Sequence, residues 1–307
     1  MQYRQFTFID HDNIENHVHV WMPDSLGNLS GLVQIVHGMG EHAKRYEHFA
    51  RALTDEDYVV YALDQRGHGL TGKTTDTLGY LGKDGFQSLV QNVNRLFSHM
   101  AEEFPNKPMY LFGHSMGSFV SKRYIELHGD RLRGVILSGS SGLLNPMTNF
   151  GIFLANRIAK RRGEDFKSDI LHQLSFGSFN KRFAPNRTDC DWLSRDSAEV
   201  DKYVNDPLCG AVLSAGSFRD FLRGLKTIQK PKELQGIPKT LPIYIVSGDQ
   251  DPVGEYGKGV KALVQTYRNL AITDVEYQLY EGARHEILNE TMRDTVIQDI
   301  LNWLWRH

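Results

Sequence analysis

Met109-Tyr110-Leu111-Phe112-Gly113-His114-Ser115-Met116-Gly117-Ser118-Phe119-Val120 packs an apolar run, a G-x-S-x-G turn and the start of a helical pattern into one short stretch. Met109 to Phe112 reads as a buried strand, and Gly117 to Leu127 as a helix. A strand that feeds directly into a helix permits only a tight turn. Its flanking positions must be small, hence Gly113 and Gly117, and the turn lifts the serine oxygen clear of the backbone. The helix N-terminus then aims amide donors at the serine and favours negative charge developing there. Ser115 is therefore a candidate nucleophile rather than a mere turn serine.

The alternation extends in both directions from this turn. Upstream, Phe6 to Ile9 and Val18 to Trp21 flank a polar turn and read as a hairpin. Leu32 to Val36 and Tyr58 to Leu63 read as buried strands, with a helical face of Tyr46, Phe49, Ala50 and Leu53 between them. A helix from about Gln87 to Glu103 precedes the quoted strand. Downstream, Val135 to Leu137 and Pro242 to Val246 continue the rhythm, and a last strand at Val275 to Tyr280 leads to a helix running from Glu286 towards Trp305. Continuously apolar strands alternating with helices predict an α/β fold, a mostly parallel central sheet flanked by helices on both faces.

About a hundred residues separate the strands on either side of Ser141 and Pro242. A structureless loop of that length is improbable in a compact domain. The pattern predicts an inserted helical cap at 143–225, broken by Pro185 and Pro207, on a core formed by 1–142 and 226–307. Within it, Met147, Phe150, Gly151, Leu154 and Ile158 share one helical face, followed by Arg157, Lys160, Arg161 and Arg162. The plain expectation is a cap helix packed on its own domain with its basic end solvated. The alternative is transient contact with a lipid surface.

A serine hydroxyl needs a base, and the base needs an orienting acid. His285 follows the final strand, and in a parallel sheet the strand C-terminal ends share one edge with the nucleophile turn. His114 adjoins the serine, but the tight turn should point it elsewhere. Asp249 and Asp251 both follow the preceding strand. Asp249 still belongs to the strand exit, whereas Asp251 lies deeper in the loop and is better placed to reach His285. An oxyanion needs two preorganised donors. The Met116 amide is one, and the loop His37-Gly38-Met39-Gly40 offers the Met39 amide as the other.

Several other functions are excluded or disfavoured. With 307 residues, 23% of them charged, and a formal net charge of −2, the chain has no nucleic-acid footprint. Two cysteines, Cys190 and Cys209, make neither a disulfide framework nor a zinc spacing, and free thiols in a reducing compartment are expected. The N-terminal residues lack a signal-peptide run, so a cytoplasmic location is expected. Gly67 to Thr74 satisfies the phosphate-loop pattern G-x-x-x-x-G-K-[ST], but Thr75 to Gly85 contains Gly79, Gly82 and Gly85 and should not form the helix that such a loop requires. His17 and His19 share a strand face without a third ligand, which suggests a surface strand rather than a metal site.

With these residues assembled, the chain resembles the α/β-hydrolase superfamily, and within it the monoacylglycerol lipase and lysophospholipase group. The resemblance is carried by His37-Gly38-Met39-Gly40-Glu41-His42, Asp64-Gln65-Arg66-Gly67-His68-Gly69, Gly113 to Gly117, Gly248-Asp249-Gln250-Asp251 and Gly282 to Glu286. Within the insertion, Asp191 to Asp196 and Asn205 to Gly210 also look like that group. It implies a triad of Ser115, Asp251 and His285, an oxyanion hole of the Met39 and Met116 amides, a small lipid or ester substrate, and no metal, organic cofactor or nucleic-acid partner. Arg284 beside the base is a less familiar neighbour. The kin readings are lysophospholipase and broad carboxylesterase, with a serine aminopeptidase or a non-catalytic binding module further off.

Overall fold

A computed structural model describes every residue of the chain except Thr75. Eight strands form one sheet in the order β1-β2-β4-β3-β5-β6-β7-β8. They are β1 (Gln2–Ile9), β2 (Glu15–Met22), β3 (Gly31–Val36), β4 (Tyr58–Leu63), β5 (Met109–His114), β6 (Gly134–Ser138), β7 (Ile243–Gly248) and β8 (Val275–Tyr280). The hairpin β1–β2 runs antiparallel, and β2 joins β4 antiparallel. From β4 to β8 every pairing is parallel.

Side chains alternate across these strands and feed two apolar layers. Phe112, Val33 and Ile35 meet Phe49, Trp303 and Leu304 on one face. Leu111, Val36 and Val135 meet Val93, Phe97 and Val120 on the other. The first face is covered by α1 (Glu47–Asp55) and the last helix. The short α2 (Gly69–Thr74) follows β4 in the chain. The second layer is built from α3 (Gly85–Glu103) and α4 (Met116–His128). Burying each such Leu, Val or Phe side chain contributes roughly 1.5–3 kcal/mol, which makes this double layer the main source of stability.

Between β6 and β7 the chain forms α5 (Thr148–Arg162), α6 (Asp169–Phe176), α7 (Ser197–Asn205), α8 (Ala215–Thr227) and α9 (Pro231–Leu234). Helices α5 and α8 pack on each other, and Phe221 of α8 meets Phe86 and Phe119 of the second layer. Helix α10 (Lys258–Asn269) joins β7 to β8, and α11 (Arg293–Arg306) ends the fold.

Three expectations need correction. The last helix begins at Arg293, because Glu286 to Glu290 is spent on a 3-10 turn whose carboxylates point inward. Strand β2 is not a surface strand, since β1 and β4 pair with its two edges, and His19 is buried against Asp64 and the Tyr3 hydroxyl. Finally, α5 does pack on its own domain through Leu154, Ala155, Ile158 and Ala159, but the predicted face is covered only in part, because Met147 and Phe150, with neighbouring Phe153, stay exposed. The phosphate-loop lookalike does contain a helix, α2, but inside the motif. After Thr75, which lies outside the described residues, Asp76 to Asp84 form turns and coil.

Candidate active site

The site begins at the β5–α4 turn. Ser115 has φ 53° and ψ −121°, a conformation a side-chain-bearing residue adopts only under constraint. The two glycines are what permit it. A Cβ on Gly117 would lie 2.0 Å from the Val36 carbonyl oxygen, and one on Gly113 would lie 2.3 Å from Ser121 Oγ. The Ser115 amide donates to the Ser138 carbonyl at 2.9 Å, which fixes the turn to the end of β6. Helix α4 starts at Met116, so the Met116 amide is one of the donors that the helix itself leaves unpaired.

Strand β3 lies beside β5, with Val36 opposite Gly113, so the His37-to-Gly40 loop leaves the sheet next to the serine. Its shape is set by Glu41, a buried carboxylate that accepts from the Gly38 amide at 2.6 Å and from the Tyr46 hydroxyl at 2.8 Å. Arg45 donates to Glu41 at 2.9 Å and grips Glu286 with two bonds of 2.7 Å each. Burial opposes charge on Glu286, but Arg45 outweighs it and holds the carboxyl down to about 2. One buried ion cluster thereby joins the loop after β3 to the residue that follows His285. A cavity of about 10 Å³, room for one water, lies between Arg45, Glu41, Glu286 and His114.

At the far side, β7 and β8 end in register, Gly248 opposite Tyr280. Their exits are laced together by bonds from the Asp249 amide to Tyr280 and from the Gln250 amide to Ala283. Asp251 is completely buried. Its Oδ1 receives His285 Nδ1 at 2.9 Å and the Val253 amide at 2.8 Å, and its Oδ2 receives Ser247 Oγ at 3.1 Å. Burial alone would raise its pKa, yet the His285 charge and these bonds hold it below the ordinary carboxylate value. Burial likewise disfavours charge on His285, but Asp251, then Glu286 and Glu41, overcome it and raise the imidazole above its usual value. With Nδ1 engaged, Nε2 is the nitrogen left for proton transfer. The ring lies beside Gly139, the residue after the Ser138 that holds the serine turn, where an added Cβ would sit 2.9 Å from Cε1.

The structure therefore brings Ser115, Asp251, His285, Met39 and Met116 to one sheet edge, where Asp249 also lies but does not touch His285. Asp249 accepts from the Gly282 amide at 2.8 Å and braces the loop below His285. His114 is buried with Nδ1 3.0 Å from Ser138 Oγ, but its ring does not turn away: it packs 4.7 Å from that of His285. Burial, then the charge on His285, lowers it to about 4, so it is neutral at physiological pH. Sequence reasoning did not single out the Glu41–Arg45–Glu286 cluster or the indole of Trp192, whose ring lies 5.0 Å from that of His285. Glu286, adjacent to His285, was the available signal. Arg284 donates to the Asp191 and Ser194 carbonyls and lies 4.2 Å over the Phe183 ring. It anchors the inserted segment.

A mostly parallel sheet with a strained serine at a strand-to-helix turn, and a carboxylate two strands away paired with a histidine from the strand beyond it, defines an α/β-hydrolase. The chain belongs to the family described as "Serine aminopeptidase, S33", whose pattern matches residues 27–292. It is 29% identical to the monoacylglycerol lipase of Mycolicibacterium smegmatis over 94% of this chain and 92% of that protein. It is 28% identical to human monoglyceride lipase over 92% of this chain and 84% of the human one. A thermostable carboxyl esterase from Bacillus coagulans, solved with glycerol, superposes with a TM-score of 0.92 at 29% identity, over 99% of this chain and 98% of that one.

Proposed function

We propose that this protein is a serine hydrolase that cleaves carboxylic esters of lipid-like alcohols, most readily monoacylglycerols. The carrying observation is the 2.9 Å bond from His285 Nδ1 to buried Asp251 at the same sheet edge as the strained Ser115. Ser115 Oγ attacks the ester carbonyl while His285 Nε2 takes its proton, and the Met39 and Met116 amides receive the oxyanion. The tetrahedral intermediate collapses as His285 returns the proton to the departing alcohol. Water, deprotonated by the same nitrogen, then attacks the acyl-enzyme, and Ser115 leaves with the proton. No metal or organic cofactor enters these steps.

Segment 143–225 serves as the cap over this edge. Its exposed Met147, Phe150 and Phe153, with Arg161 and Arg162 beyond, suit brief contact with lipid aggregates. Among the described residues no helix is long and apolar enough to cross a membrane, and Cys190 and Cys209 are free thiols, which fits work in the cytoplasm. The family's name raises the aminopeptidase reading. A free amine needs an unpaired acidic partner, and the carboxylates near the site, Glu41 and Glu286, are both held by Arg45. The ester reading is favoured for that reason, and the lipases and esterase named above support it.

Ser115→Ala should lower ester hydrolysis by roughly 10⁴- to 10⁶-fold without changing the unfolding midpoint. The check is a rate profile across monoacylglycerols, lysophospholipids, p-nitrophenyl esters and aminoacyl amides for wild type and mutant. Hydrolysis retained in the mutant removes the nucleophile. Preference for aminoacyl amides removes the lipid ester.

A further inference from the structure

Two rings pack against the His285 imidazole: His114, from the nucleophile turn, and Trp192, from the inserted segment, at 5.0 Å between centroids and 33° between planes. Trp192 is not a loose cap side chain. Its amide donates to Asn180 Oδ1 at 2.8 Å, and Asn180 donates in turn to the Thr188 carbonyl. Its carbonyl accepts from the His285 amide at 3.4 Å, and the next carbonyl, Leu193, accepts from the Glu286 amide at 2.8 Å. Arg195 pairs with fully buried Glu290, which also accepts the Arg284 amide. The indole therefore shares one hydrogen-bonded frame with the base. On its other flank it meets Phe176 and Phe179, at 6.1 and 5.0 Å.

We propose that Trp192 is a positioning residue for His285: its indole fixes the ring's orientation and stabilises the imidazolium that forms when Ser115 gives up its proton. An indole offers the strongest cation–π surface among side chains. His114, the other ring in contact, is buried and neutral and supplies no comparable field. The charged groups around the base come from every side. Asp251 sits at Nδ1, Glu286 is next in the chain, and Glu41 lies on the loop after β3 with Arg45 between the two glutamates. These carboxylates act on the proton at equilibrium; the indole does so as well and also restrains the ring's plane. The inference rests on the reading of His285 as the base, but part of its test needs no substrate.

Trp192→Leu keeps an apolar cover and removes the π face, while Trp192→Phe keeps a smaller one. Losing cation stabilisation lowers the base's pKa. The acidic limb of kcat/KM in Trp192→Leu should move down by roughly half a pH unit, with Trp192→Phe between it and wild type. The plateau kcat should fall by about three- to tenfold in Trp192→Leu, with KM little changed. Independently of any substrate, protonated imidazole quenches indole emission. Wild-type fluorescence minus that of Trp192→Phe should therefore drop as pH is lowered through the titration of His285, and His285→Asn should abolish that drop. A KM increase with an unmoved pH limb would make Trp192 a wall of the substrate pocket and overturn the proposal. An indole signal that does not titrate, or that titrates without His285, overturns it even if no ester is hydrolysed.

Discussion

Around His285 the carboxylates of Asp251 and Glu286 are buried and held by named donors, whereas along α5 and α6 Met147, Phe150, Phe153, Ile170 and Leu174 lie exposed. The strand-end loops exclude solvent to fix charges and dipoles. The helices between β6 and β7 leave apolar area uncovered, which folding alone does not reward. Both lie within one chain, and the 191–195 segment joins them through Arg284, Glu290 and the Leu193 carbonyl. The difference shows where precision is demanded: at the strand ends, where sub-ångström placement governs chemistry, and not along the outer helices.

The largest expected effect breaks the strand-end side. Asp251→Asn should preserve the fold but present the wrong tautomer to Nε2, lowering kcat by about 10⁴-fold. Asp249→Asn, which touches only the loop, should change kcat far less. Equal losses in steady-state assays would erase the distinction between the two carboxylates.

Acid stability sharpens the same contrast. Burial, foremost, keeps His37, His68 and His114 at about 4. Folded values below the unfolded 6.5 mean that their contribution is complete above pH 6.5 and is lost as pH falls towards about 4. Each tenfold difference in proton affinity between the folded and unfolded chain is worth about 1.4 kcal/mol. His285, raised instead, contributes in the opposite sense: its stabilisation is present below 6.5 and fades as pH rises through its folded value. Burial lowers His48 and His128 as well, while Glu126, pushed up by burial to about 7, acts in the same sense as His285. Five histidines against these two groups predict a net fall, so urea midpoints should decline from about pH 7 to about pH 5. Flat midpoints would show that the buried rings accept protons within the fold.

The smallest effect on stability belongs to the exposed helices. Phe150→Ser with Phe153→Ser should change unfolding free energy by less than about 0.5 kcal/mol per site. Hydrolysis of a short soluble ester should be unchanged, while turnover of a vesicle-borne monoacylglycerol should fall several-fold. If both substrates respond alike, the exposed face plays no part in reaching lipid.

Much of this was legible in the chain itself. The Gly113–Gly117 turn between apolar strand and helix announces itself because steric exclusion at a tight turn admits only glycine. That Asp251 and not Asp249 meets His285 follows from its distance past the end of β7, and the predicted limits of β8 match the structure because its strand and turn residues are local signals. The start of α11 is not legible, because Glu286 to Glu290 carry helix-compatible residues whose side chains are claimed by Arg45, Arg195 and backbone amides elsewhere. The roles of His19 and His114 are equally invisible, since burial depends on which strands flank β2 and on which ring lies behind the base.

By itself, then, the sequence determined the alternation of strands and helices and the glycine-flanked Ser115 turn, and it set the proposed order of serine, acid and histidine, because each depends on residue spacing along a few turns of backbone. Only the tertiary structure decided that Glu41, Arg45 and Glu286 form one buried cluster and that Trp192 comes to rest on His285. Those contacts join residues far apart in the chain, and their electrostatics exist only once water has been excluded from between them.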